Sequence, residues 1–190
     1  MLLVVGLGNP GAEYAGTRHN VGFRAVDRFV EDAGGLWKKA PVGDGMAAQI
    51  ELDGSPVRAA KPFTFMNASG RMVGELVRFF KIPPAGTLVV SDDIDLPLGT
   101  LRLRHKGSSG GQRGLESVIA ALGTSEVPRI RLGVGPKPPR FETADFVLSR
   151  FASAEEEPVA DMLARAADAV RLAVTQGLEA AMNRFNKVSG

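Results

Sequence analysis

Leu2-Leu3-Val4-Val5-Gly6-Leu7-Gly8-Asn9-Pro10-Gly11 stands at the start of the chain, and its reading decides the fold. The run Leu2 to Val5 is apolar, half of it β-branched, and a glycine follows; this is the pattern of a short buried strand. Ala12 to Asn20 is largely polar. Helical spacing begins at Val21, with Phe23, Val26, Phe29 and Val30, and Gly34-Gly35 ends it. Strand, loop and helix in that order form the first unit of an α/β sheet. Gly6, Gly8 and Gly11 also match the dinucleotide-binding fingerprint, which works because a helix N-terminus follows at once and holds the pyrophosphate. Here the helix is delayed by roughly ten residues, and the acids placed about 20 residues on, Asp27 and Glu31, lie inside it. The context is wrong for a nicotinamide cofactor. The glycines are expected instead to let backbone approach something else closely.

Outward from this unit the alternation continues. Met46 to Leu52 and Pro56 to Ala60 flank Asp53-Gly54, a hairpin signal. Ser69 is placed to cap a helix that ends near Ile82, before Pro83-Pro84. Thr87 to Val90 reads as a strand that runs into Asp92, Asp93 and Asp95, and Leu101 to Arg104 alternates apolar and basic as a half-exposed strand does. Gly107 to Gly114 is a loop followed by a helix through Leu122, and Arg129 to Val134 is a strand ended by Gly135-Pro136. After Phe141 the composition changes. Ser153 and Glu156 have capping-box spacing for a helix with Val159, Met162, Leu163, Ala166, Val170, Ala173 and Val174 on one face. A last helix runs from about Gly177 to Asn186. The expectation is one α/β domain over 1–190, a three-layer sandwich whose mixed, largely parallel central sheet is flanked by helices. The helices from about residue 142 serve as lid or packing elements.

Composition narrows the chemistry. The 190 residues contain no cysteine, which excludes disulfides, thiolate catalysis and cysteine-held metals. Only His19 and His105 are available for histidine chemistry. No apolar run approaches a membrane span, and no basic leader with a cleavage site precedes the first strand, so the expected compartment is the cytoplasm. The formal net charge is +2, but residues 101–150 hold nine Lys/Arg against four Asp/Glu, a local +5. That basic third is either a face for phosphate groups or a solvated surface paired within the fold.

His19 ends the glycine loop and can serve as a general base, or as a hydrogen-bonding residue at the helix start. As a base it needs an orienting acceptor. The C-terminal ends of parallel strands line one crevice, so Asp92, Asp93 and Asp95 are the candidates. The same acids also fit a turn before Pro97-Leu98-Gly99 or a carboxylate Mg²⁺ site. Phe63-Thr64-Phe65-Met66-Asn67 is either a loop packing its aromatics or an apolar wall with an amide aimed at substrate. Gly107 to Gly114 lacks the Gly-Lys-Ser/Thr ending of a P-loop, and His105 reads as part of the basic surface.

Taken together these segments resemble one family. Gly6-Leu7-Gly8-Asn9-Pro10-Gly11, Tyr14 and Thr17-Arg18-His19-Asn20-x-Gly22 are similar to the opening of bacterial-type peptidyl-tRNA hydrolases. Lys61-Pro62-x-Thr64-Phe65-Met66-Asn67-x-Ser69-Gly70 resembles their second signature. Asp92-Asp93-x-Asp95-x-Pro97-x-Gly99 with Arg102, Gly110-Gly111-x-x-Gly114, and Arg129-x-Arg131-x-Gly133-x-Gly135 resemble the rest, in order and over essentially the whole chain.

The resemblance implies a cytoplasmic, monomeric enzyme that hydrolyses the ester between a peptide and tRNA, recycling tRNA from prematurely released or stalled peptidyl-tRNA. It implies no cofactor, no metal, and no membrane or obligate protein partner. It makes His19 the general base, and Asp92 the residue that holds it. Asn9 helps tell a blocked α-amino group from a free one, and Asn67 orients substrate or water. Tyr14 and Phe65 contact the tRNA 3′ end and peptide, and Arg104 and Arg131 hold phosphates. One departure stands out: the family usually has His-Asn where this chain has Gln112-Arg113. Arg113, a donor with no acceptor, is expected to donate to a peptide carbonyl or reach a phosphate, and cannot replace any contact in which the asparagine accepts. The alternative is a non-catalytic RNA-binding relative of the same fold.

Overall fold

The structure is a computed structural model and describes residues 3–186; Leu2, which begins the expected first strand, lies outside them. A seven-stranded sheet has α-helices on both faces. The strands are β1 (Leu3–Gly6), β2 (Lys38–Lys39), β3 (Gly45–Leu52), β4 (Ser55–Pro62), β5 (Thr87–Pro97), β6 (Leu101–Arg104) and β7 (Arg129–Gly135). The helices are α1 (Val21–Asp32), α2 (Ser69–Phe79), α3 (Arg113–Leu122), α4 (Thr143–Leu148), α5 (Glu156–Thr175) and α6 (Leu178–Phe185). The strand order is β2-β3-β4-β1-β5-β7-β6. The central strands β4, β1, β5 and β7 are parallel, and the antiparallel pairs β2–β3, β3–β4 and β6–β7 lie toward the two edges. The three-layer sandwich with a mixed sheet is as the pattern dictates.

Each layer follows from where the apolar residues fall. On one face Val21, Ala25, Val26 and Phe29 of α1, with Val159, Met162, Ala166 and Val170 of α5, bury against Val4, Leu88, Val90, Ile130 and Leu132 of the strands. On the other, Met72, Val73 and Leu76 of α2 with Leu115 and Val118 of α3 cover Leu3, Val5 and Val89. Successive strand residues point to opposite faces, so both clusters grow from the same short runs. The Asp53-Gly54 hairpin forms as read. Both residues have positive φ, 50° and 74°, which matches the right-handed twist of β3 and β4.

The structure departs from the pattern at element ends. Ser69 does not cap α2; its hydroxyl donates to the Met66 carbonyl inside a 3-10 turn, Met66–Ala68, that leads into the helix. That helix stops at Phe79 rather than near Ile82. Lys81 takes a left-handed φ of 53°, and the Ile82 N–H closes back on the Val77 carbonyl. The strand from Thr87 does not stop at Val90 but runs through the aspartates to Pro97, because Ser91 to Asp93 continue the pairing with β7. Gly133 and Gly135 make room for its tail; an added Cβ would lie 2.0 Å from the Pro97 carbonyl oxygen and 1.9 Å from that of Ile94. The expected capping box is shifted: Glu155 rather than Glu156 accepts a backbone hydrogen bond, from Ala152 N–H at 2.7 Å. The short β2 and α4 had no clear periodic signal.

Candidate active site

The C-terminal ends of β1 and β5 lie side by side, with Leu7 N–H donating to the Val90 carbonyl. The N-terminus of α1 presses directly onto them. An added Cβ on Gly22 would sit 2.4 Å from the Val90 oxygen and 2.5 Å from the Leu7 oxygen, so only glycine permits this approach. The "something else" that the glycine loop admits is therefore the chain's own helix. This packing brings His19, in the 3-10 turn Arg18–Asn20 ahead of α1, against Asp92 of β5.

His19 Nδ1 is 2.9 Å from Asp92 Oδ2. The Asp92 side chain is 3% exposed and that of His19 is 12% exposed. A carboxylate can only accept, so Nδ1 carries the hydrogen and the lone pair stands on Nε2. Among the described residues Nε2 has no hydrogen-bond partner. The remaining acids go elsewhere. Asp93 pairs with Arg131 and also accepts from the Asp95 backbone N–H. The three aspartates thus do not converge. Among the described residues no group of three or more His, Asp or Glu is arranged to hold a metal ion.

Asn9 is buried beside this pair. Its Oδ1 accepts from Met66 N–H at 2.8 Å, while its backbone exchanges two hydrogen bonds with the Asn20 amide, each 2.9 Å. The amide is thereby oriented, with Oδ1 occupied and Nδ2 the free donor. Asn67 is exposed just beyond Met66, Phe65 is 61% exposed, and Tyr14 is half-buried across the loop. The Asn9–Met66 hydrogen bond ties the segment that carries Phe65 and Asn67 to the glycine loop. The Phe63 to Asn67 segment thus divides its roles: Met66 packs in the core, and Phe63 and Phe65 face outward.

The basic residues divide as well. Arg113, the first residue of α3, is exposed, as is Arg104 at the end of the edge strand β6. Arg104 pairs in register with Arg129, two strands from Asp92 and toward the opposite ends of the parallel strands. Arg131 is partly buried in its ion pair with Asp93. His105 stands apart from the site, 2.6 Å from Glu179. Arg129 is buried and donates to the carbonyls of Gly107, Ser108, Ser125 and Val127, which fixes the base of the loop ahead of α3. Burial, and then the charge of Arg131, lowers its pKa from the usual arginine value.

Three residues named in the motifs carry roles that the sequence does not assign. Asn20 braces Asn9. Gln112 donates to Asp92. Arg18 is buried between the rings of Phe146 and Phe151, 4.7 and 4.6 Å from their centroids, and pairs with Glu155 at 2.7 Å. Only Gln112 carried a local signal, its place just before a helix.

A largely buried histidine held by a buried aspartate, at the strand ends of a three-layer α/β sandwich, defines the class. Within it, the chain belongs to the peptidyl-tRNA hydrolase family, whose model matches residues 3–190. It is 48% identical over 185 residues to a peptidyl-tRNA hydrolase of Elusimicrobium minutum, covering 97% of this chain and 98% of that one. It is also 48% identical over 187 residues to that of Chloroflexus aggregans, covering 98% and 99%. The crystal structure of peptidyl-tRNA hydrolase from Acinetobacter baumannii superposes with a TM-score of 0.92 at 33% identity, covering 98% of this chain and 94% of that one.

Proposed function

We propose that this protein hydrolyses the ester joining a peptide, or an N-blocked amino acid, to the terminal ribose of tRNA. The observation that carries this reading is the His19–Asp92 pair, with Nδ1 committed to the carboxylate and Nε2 without a hydrogen-bond partner among the described residues. His19 Nε2 takes a proton from water as the oxygen attacks the ester carbonyl. Asp92 holds the ring in the productive tautomer and stabilises the imidazolium that forms. The tetrahedral intermediate expels the ribose oxygen, which receives the proton back from His19. The products are a peptide carboxylate and tRNA with a free hydroxyl. The sequence needs neither a cofactor nor a metal.

Asn9 gives selectivity a physical basis. With Oδ1 held by Met66 N–H, it offers the substrate a donor only. A peptide or N-acyl group presents a carbonyl that accepts from Nδ2. A free α-ammonium has donors only and nothing to accept with. In this reading the exposed Asn67 amide orients substrate or water, Phe65 and Tyr14 offer surfaces for the terminal base and peptide, Arg113 donates to a peptide carbonyl or a phosphate, and Arg104 and Arg131 hold phosphates. The reading includes action as a monomer on cytoplasmic peptidyl-tRNA left by stalled translation. No described helix is long and apolar enough to cross a membrane.

The test is release of the acyl group from N-acetyl-aminoacyl-tRNA and from its unblocked counterpart. The protein should act on the first and largely spare the second. His19→Ala should lose about 10³-fold in kcat. Asn9→Ala should narrow the discrimination. Wild-type turnover by His19→Ala would overturn the assignment of the base.

A further inference from the structure

Gln112 stands where the resemblance leads one to expect histidine, and nothing in the reaction just described uses it. It is the N-cap of α3, in extended conformation, and its Oε1 accepts from Leu115 N–H at 2.6 Å. Its Nε2 is 2.9 Å from Asp92 Oδ1 and 3.3 Å from Met66 Sδ. The amide orientation is determined at both ends. A flip would set its oxygen against the Asp92 carboxylate and its NH₂ against the Leu115 N–H, turning two hydrogen bonds into two repulsions. Asp92 is then held on both oxygens, Oδ2 by His19 and Oδ1 by Gln112.

We propose that Gln112 is a positioning residue for the catalytic pair: the N-terminal turn of α3 orients its amide, the amide fixes the Asp92 carboxylate, and the carboxylate fixes the His19 tautomer. The Gln112-Arg113 departure thereby separates into two roles. Arg113 turns outward from the first helical position, and Gln112 alone reaches the site. Because an amide does not titrate, Asp92 meets a donor whose state is the same at every working pH. Of the charged residues adjoining these three in sequence, Arg18 pairs with Glu155, Asp93 pairs with Arg131, and Arg113 is exposed to solvent.

The inference rests on the proposed hydrolysis, so its test includes one readout that does not need turnover. Gln112→Glu retains an oxygen to cap Leu115 N–H but replaces the donor to Asp92 with a second carboxylate. The expected result is a kcat lower by about tenfold or more with KM within about twofold, and an acid limb of the kcat profile displaced to higher pH, since the added negative charge favours the imidazolium. Tm should change little, because the cap persists. In parallel, ¹⁵N spectra of the imidazoles, with only His19 and His105 to assign, should show the His19 signals displaced and those of His105 unmoved. If wild type shows no hydrolysis, the proposed function fails, and the spectra still decide the positioning role. Unaltered His19 signals, or wild-type kcat with the acid limb in place, would overturn it and leave Gln112 a helix cap only. Should Gln112→Glu not fold, the near-isosteric Gln112→Met poses the same question to the His19 spectrum.

Discussion

The inner and outer halves of the site are built on opposite terms. Inside, Asn9, Asn20 and Asp92 are buried and each has direct partners, and His19 and Gln112 are anchored to Asp92. Outside, Phe65, Asn67 and Arg113 are exposed, as is Arg104 farther off on the edge strand, and their side chains make no hydrogen bond among the described residues. Ester hydrolysis needs a base and its orienter fixed before the substrate arrives, since any reorganisation would add to the barrier. Contact with a polyanion has the opposite requirement. Solvated arginines exchange water and counterions for phosphate at little desolvation cost and release it again. The comparison therefore predicts where kcat lives and where KM lives.

Asp92→Asn is the hardest test of the inner half. The volume is unchanged, but the amide can present a donor to Nδ1 and favour the wrong tautomer. We expect kcat to fall by about 10²–10⁴-fold, with KM and Tm nearly constant, measured on N-acetyl-aminoacyl-tRNA. A loss confined to KM would put Asp92 with the outer half and erase the distinction.

A smaller effect is expected one layer behind. Arg18 ties the turn that carries His19 to α4 and the turn before α5, through Ser149, Glu155 and the two phenylalanine rings. The hydrogen bond from the Arg18 side chain holds the Glu155 carboxyl below the ordinary glutamate value, against a desolvation that raises it. A lowered carboxyl pKa adds stability that is full above the unfolded-state value and is lost as pH falls through the folded one. Glu155→Gln should therefore lower stability at neutral pH by about 1 kcal/mol after allowance for partial exposure, seen as a lower Tm, and flatten the fall of Tm as pH drops below the ordinary glutamate range. An unchanged acid slope would mean that Arg18 is held by the rings alone.

How much of this was legible follows the same division. The strand Leu3–Gly6 and the helix Val21–Asp32 were plain because burial imposes periodicity, and His19 and Asp92 were nameable because parallel strand ends converge. The limits of α2 and the length of β5 were not, since they depend on the left-handed Lys81 and on pairing with β7, a partner distant in sequence. Gln112 was hidden for a related reason. Its neighbour Arg113 has the charge that draws attention, while a cap residue's second hydrogen bond, to a strand 20 positions back, leaves no mark in spacing. The run of arginines misled in part, because composition does not say which are already spoken for, as Arg129 is by four carbonyls and Arg131 by Asp93.

The mildest losses lie on those arginines. Arg104→Ala and Arg113→Ala each remove a solvated charge with no internal partner. Each should raise KM by about two- to fivefold at low salt, leave kcat in place, and reduce the dependence of log KM on log salt by about one phosphate's worth, a slope change of about 0.7–0.9. Arg131→Ala differs in kind. Its guanidinium already neutralises Asp93, one residue from Asp92, so removing it frees a partly buried carboxylate on the strand that carries Asp92. The salt slope should then move less than for the exposed pair while Tm falls. Equal slopes for all three, with Tm unmoved, would place Arg131 in the outer half and show that its pairing with Asp93 opens whenever phosphate arrives.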